Sequence, residues 1–114
     1  MPYVHLQTNA ELDKGAAVTF AQKLSAFAAR AVGKPEQYVQ TVVSPGLAMA
    51  HGGDTGPTAF VDLKSIGLAE NKCPALSQAV CDFLEKELGI PPSRVYIQFT
   101  DLAGARFGWN GSTF

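Results

Sequence analysis

Gly33-Lys34-Pro35-Glu36-Gln37-Tyr38-Val39 is answered 56 positions later by Gly89-Ile90-Pro91-Pro92-Ser93-Arg94-Val95, with glycine, proline and valine at the same spacing. The offset extends upstream. Leu12 matches Leu68, Phe27 matches Phe83, and the apolar pair Val4 and Leu24 falls on Phe60 and Val80. Self-similarity over the whole chain reads as two copies of one unit, residues 1–56 and 57–114, within one domain of 114 residues.

Each copy reads as strand, helix, strand. From Tyr3 to Thr8, Val4 and Leu6 alternate with Tyr3, His5 and Gln7, the period of two expected of a half-buried strand. Asp13 can then cap a helix whose Ala17, Phe20, Leu24, Phe27 and Ala31 recur at three and four residues. Gly33 stops it, and the β-branched stretch Tyr38 to Val43 is the second strand. In the second copy Ala59 to Lys64 is strand, and Pro74 suits the first turn of a helix that buries Leu76, Val80, Phe83, Leu84 and Leu88. Gly89 ends that helix, and Arg94 to Thr100 is the last strand of the repeat.

The segment Ser44 to Thr55, rich in glycine, is too short to separate two independent domains, so both halves share one sheet. Right-handed crossovers then give an α/β (α+β) architecture: a tandem βαβ repeat, a four-stranded sheet and two helices on one face. Only a short tail, Phe107 to Phe114 with Trp109, remains to cover the opposite face. Cover from other subunits is the expectation.

Composition narrows the function. Nine Lys and Arg against ten Asp and Glu leave a net charge of −1, without the basic footprint that nucleic-acid binding requires. No apolar run approaches the ~20 residues of a membrane span, and the opening Met1 to Gln7 has no signal-peptide pattern, so a cytosolic start is expected and membrane insertion is not. Cys73 and Cys81, eight residues apart in a helix, would sit roughly 12 Å from one another, beyond disulfide reach. Neither they nor His5 and His51 fall at a metal-ligand spacing. His51 is expected to be exposed, and His5 to face away from the helices.

The opening Met1-Pro2, the Gly33-Lys34-Pro35 turn, Ser65-Ile66-Gly67 after the third strand, Arg94-Val95-Tyr96-Ile97 in the fourth and the ending Gly108-Trp109-Asn110-Gly111-Ser112-Thr113-Phe114 stand in an order and spacing that resembles the macrophage migration inhibitory factor family, which includes D-dopachrome tautomerase. The resemblance covers nearly the whole chain. Pro45 to Ala50 looks more like the D-dopachrome tautomerase branch, while Tyr96 and the Gly-Trp-Asn ending look more like the other. It implies a homotrimer whose sheets wrap a central channel, with pockets at subunit interfaces, and a catalytic Pro2 exposed by removal of Met1.

The chemistry of Pro2 is independently reasonable. A free α-amine titrates near ~8, and an apolar interface beside a cation lowers that value towards neutrality, leaving a general base. The ring also fixes the direction of the nitrogen lone pair. Without the other motifs, Pro2 reads as a stiff entry to an edge strand, and Lys34 as a solvated cation at a helix end. The resemblance implies that Lys34 holds a substrate carboxylate and that Ile66 lines the pocket. Alternation puts Tyr96 and Gln98 on one sheet face, away from the helices; the resemblance implies that they reach a neighbour's pocket, with Gln98 standing where many relatives have Asn. Trp109 and Phe114, with Phe107, read as packing at a subunit contact or as an aromatic wall for a phenyl-bearing substrate. Thr58 and Val61 replace the Cys-X-X-Cys pair of some relatives, so thiol redox activity is not expected.

The leading expectation is a keto-enol tautomerase of α-keto acids such as phenylpyruvate, needing no cofactor because a proton beside a carbonyl is already acidic. D-dopachrome tautomerisation in the same pocket is a related reading. A rival is a cytokine-like module recognised by a cell-surface receptor, which would require secretion without a signal peptide. A dehalogenase or decarboxylase would want further basic residues near the amine; only Arg30, Arg94 and Arg106 are available, none in the first strand.

Overall fold

The computed structural model describes residues 1–114. The chain runs through β1 (Tyr3–Thr8), α1 (Lys14–Val32), β2 (Gln40–Ser44), β3 (Ala59–Ile66), α2 (Cys73–Leu88), β4 (Val95–Leu102) and a terminal hairpin of β5 (Gly108–Trp109) and β6 (Ser112–Thr113). The main sheet has the order β2-β1-β3-β4. Each half contributes a parallel pair, β1 with β2 and β3 with β4, and the halves meet along the antiparallel β1/β3 seam.

Both helices are delimited as their sequences require. Asp13 Oδ1 accepts from the Ala16 amide at 2.8 Å, satisfying one of the orphan donors at the start of α1. Gly33 (φ 74°) and Gly89 (φ 68°) end α1 and α2 in the left-handed region, where a Cβ would be strained. Phe20, Leu24 and Ala28 of α1, and Leu76, Val80, Cys81 and Leu84 of α2, pack on one face of the sheet over Val4, Leu6, Ala59, Val61 and Leu63. Phe83 and Leu88 are half-buried at the margin of this core rather than inside it. Phe83 stacks on Phe27 at 4.3 Å between ring centroids, locking the two helices together.

The 56-residue offset holds for helices and outer strands but fails in β1 and β3. Leu24 and Val80 are both buried. Val4 is buried on the helix side, whereas Phe60 lies on the other face, because β3 buries Ala59, Val61, Leu63 and Ser65. Faces alternate with a period of two, so the true equivalence is shifted by one residue: Val4 with Val61, Leu6 with Leu63, Thr8 with Ser65. The connection from β1 to α1 absorbs the extra residue. A second difference is at Tyr38, which closes a 3₁₀ turn (Glu36–Tyr38), so that β2 starts at Gln40.

The sheet's second face is uncovered. Tyr3, His5, Phe60, Asp62 and Lys64 lie on it half-buried, with Val42, Tyr96 and Gln98 exposed. His5 Nε2 is 2.9 Å from Ser44 Oγ. His51 is half-buried against Tyr96, 4.7 Å between rings, rather than exposed as its glycine-rich surroundings suggest.

The Ser44–Thr55 connection is held by Arg94. Its Nε donates to Pro57 O at 2.8 Å and its Nη2 to Asp54 O and Gly56 O at 2.9 and 3.2 Å. Its Nη1 donates to His51 O at 3.4 Å. The carboxylate of exposed Asp54 adds little. Arg94→Ala would leave these carbonyls to water and free the loop, with an expected loss of about 2 kcal/mol and a fall in Tm of about 8 °C in thermal unfolding. Arg94→Lys should not restore it, since an ammonium cannot span the fork.

Candidate functional site

The first residues of the chain lie under the terminal hairpin. Pro2 is fully buried, and its carbonyl accepts from the Gln40 amide at 3.0 Å, tying the start of β1 to β2. Asn110 (φ 52°) and Gly111 (φ 75°) form the tight turn between β5 and β6, as an Asn-Gly pair favours. The turn folds the tail back, so that Trp109 and Phe114 stack with centroids 5.5 Å apart and planes at 14°. Tyr38 meets both edge-on, at 5.7 Å to Trp109 and 6.2 Å to Phe114. Phe107 closes the cluster against Phe114. Met1, Pro2, Tyr38, Phe107, Trp109 and Phe114 thereby line a pocket of about 390 Å³.

The electrostatics suit a neutral amine. The α-amine, carried here by Met1, is held below its ordinary value of 8.0, first by burial and then by the positive charge of Lys34. Removal of Met1 would transfer that amine to Pro2, the more deeply buried residue.

Lys34 reaches this position through broken repeat symmetry. Lys34 and Ile90 are equivalent, each following the glycine that ends a helix, with backbone amides turned to Ala29 O and Leu84 O. Ile90 is fully buried, completing the hydrophobic contact such helix ends favour. Lys34, half-buried, instead places a cation beside the chain start.

The other expected residues are dispersed. Ile66 ends β3, two residues past Lys64, the partner of Tyr3, so it is level with the chain start but outside the aromatic pocket. Tyr96 and Gln98 lie on β4, opposite Phe60 and Asp62, and Phe60 in turn faces Gln7. Tyr96 is thus about 17 Å along the strands and about 10 Å across them from Pro2. One chain does not bring these groups together. Both nevertheless project from the uncovered face, where Tyr96 is 64% exposed. Tyr38 was not among the residues expected at the site. Its only signal is an aromatic side chain three positions after Pro35, a spacing equally suited to a strand start.

Comparison with known proteins bears on the family and the fold. The family model described as macrophage migration inhibitory factor (MIF) matches residues 1–114. A Xenopus laevis protein named macrophage migration inhibitory factor is 39% identical over 117 aligned positions, spanning 100% of this chain and 99% of its own. A Brugia malayi homolog of that factor is 39% identical, with 100% and 99% covered. Among solved structures, the homologue from Prochlorococcus marinus superposes with a TM-score of 0.88 at 40% identity over 98% of each chain. That from Trichinella spiralis gives 0.89 at 34% identity, over 98% and 99%.

Proposed function

The chain belongs to the macrophage migration inhibitory factor family, and on that premise we propose that it is a keto-enol tautomerase of aromatic α-keto acids such as phenylpyruvate. The observation that carries the proposal is an α-amine whose protonation is disfavoured by burial and by Lys34, carried by a residue that lines an aromatic pocket. After removal of Met1, the neutral Pro2 nitrogen takes the enol hydroxyl proton and returns a proton to the adjacent carbon, giving the keto acid. Lys34 binds the carboxylate, with Ile66 beside it. Trp109 and Phe114 flank the phenyl ring. Tyr96 and Gln98 come from a neighbouring subunit of a homotrimer and hydrogen-bond the carbonyl oxygen as charge develops on it. Support for this assembly comes from the uncovered sheet face and the exposed polar tips on it.

The pH profile tests the base. Burial and Lys34 disfavour the ammonium form, so the free amine persists to lower pH than an ordinary α-amine would. For ketonisation of phenylpyruvate enol, followed by ultraviolet absorbance, kcat/KM should rise with pH through a midpoint below 8.0. Lys34→Ala should move that midpoint upward as well as raise KM. A midpoint unchanged in Lys34→Ala would remove the lysine from this role, and no ketonisation by the mature protein would reject the tautomerase reading.

The Xenopus and Brugia relatives are named for inhibition of macrophage migration, which supports a second reading, a cytokine-like module recognised by a cell-surface receptor. Receptor binding by a variant lacking Pro2 chemistry would support it. D-dopachrome as substrate is a variant of the first reading and is tested in the same pocket.

A further inference from the structure

A depression larger than the aromatic pocket lies elsewhere in the chain. It is a groove of about 560 Å³ between the end of α1 and the start of α2; none of its lining residues lines the aromatic pocket, although Lys34, proposed above to hold the substrate carboxylate, is among them. We propose that this groove binds a small organic anion: a phosphate or carboxylate head on an apolar or aromatic body.

Three observations converge on the head. Arg30, Lys34 and Lys72 line the groove and no acidic residue does, in a chain whose acids outnumber its cations. None of the three forms an ion pair; the salt bridges use Lys23, Lys64 and Arg94. Second, α2 starts here with no side-chain cap and no acid in its own first turn, and the only acid in the 3₁₀ turn that leads into it, Glu70, does not line the groove. Third, Ser65 lines the groove, is 0% exposed, and its Oγ has no hydrogen-bond partner.

The repeat makes the third observation diagnostic. The equivalent hydroxyl, Thr8 Oγ1, is fully satisfied: it donates to Thr58 O at 2.8 Å and accepts from the Ala10 amide at 3.1 Å. A buried hydroxyl without a partner costs stability in an apolar row such as Val61, Leu63, Ser65. An acceptor oxygen in the groove would give Ser65 the partner that its twin already has.

The body of the ligand follows from the walls. Val32, Leu68 and Leu76 are apolar, and Ala31, Ala75 and Ala79 are small enough to leave room between the helices. The volume suits a single-ring molecule rather than a bare ion.

The test uses phenyl phosphate with the full chain, followed by amide shifts in a two-dimensional NMR titration. Arg30 and Lys72 are exposed and lie outside the proposed catalytic set, so they carry the substitutions. Saturable shifts are expected at Gly67, Leu68, Ala75 and Leu76, equal in wild type and in Pro2→Gly. Inorganic phosphate should bind at least about tenfold more weakly, lacking the ring. The double variant Arg30→Gln, Lys72→Gln should weaken phenyl phosphate about tenfold or more, and Ser65→Ala about tenfold. Shifts confined to Tyr38, Gly108 and Trp109 would overturn the proposal, because they would put the ligand in the aromatic pocket. So would undiminished binding by the double variant, or inorganic phosphate binding as well as phenyl phosphate. The binding readout is independent of catalysis, so it stands or falls apart from the tautomerase reading.

Discussion

Pro2→Gly is expected to lower kcat/KM for ketonisation of phenylpyruvate enol by about 10²- to 10⁴-fold, the range associated with loss of a positioned general base. The variant keeps an α-amine at the chain start but loses the ring that fixes the nitrogen, so the base would sample many directions over the pocket. Because Pro2 is fully buried, the comparison requires the variant to melt as a folded protein and to keep wild-type subunit stoichiometry by light scattering. A second variant separates position from chemistry. An alanine inserted between Met1 and Pro2, retained after processing, converts the proline nitrogen to an amide and should lose activity to a similar extent. Equal rates in wild type and Pro2→Gly would eliminate the amine as the base.

Mixing two inactive variants should restore activity. Pro2 and Tyr96 lie too far apart to meet in one chain, so a composite pocket needs Pro2 from one subunit and Tyr96 with Gln98 from the next. Pro2→Gly carries an intact β4 face, and Tyr96→Ala, Gln98→Ala carries an intact amine. Co-refolded in equal amounts, half the chains offer the amine and half their neighbours offer the β4 groups. Random closed assembly then gives about one quarter of wild-type pockets, measured as ketonisation per subunit. Physical mixing without refolding should give none of this recovery, provided that subunits do not exchange. No recovery after verified co-assembly would mean that β4 does not complete the neighbour's site.

The fold was legible where one physical rule dominated a segment. Asp13 and Gly33, with Gly89 in the second half, delimit helices through backbone needs that few residues meet. The alternation of Val4 and Leu6 assigned their burial correctly. The match of Val4 to Phe60 misled because β1 and β3 are related by 57 positions rather than the 56 of the helices, a slip of one residue reverses the face, and a one-residue difference in a connecting loop leaves no mark on composition. Tyr38 was hidden for another reason: its role arises from contact with Trp109 and Phe114, about seventy residues downstream, brought near by the hairpin. Arg94 likewise gathers carbonyls from a loop some forty residues earlier. Such long-range partners are set by topology, not by spacing. The motifs at Pro2, Lys34 and Trp109, by contrast, were visible as an ordered set before any geometry.

The two-residue strands of the terminal hairpin have a consequence for how the molecule breathes. Amides along β1 and β3 are closed in on both sides and open only when the whole core dissolves. Those of Trp109 and Thr113 are exposed and depend on a single short ladder and the aromatic contact with Tyr38. Hydrogen exchange should therefore proceed there through sub-global opening, far faster than in the seam. The wall that sets the pocket's width is thus held by two strands of two residues each, while Pro2 beneath it is tied to the main sheet through Gln40. Ring size can vary at the wall while the nitrogen below it stays in place.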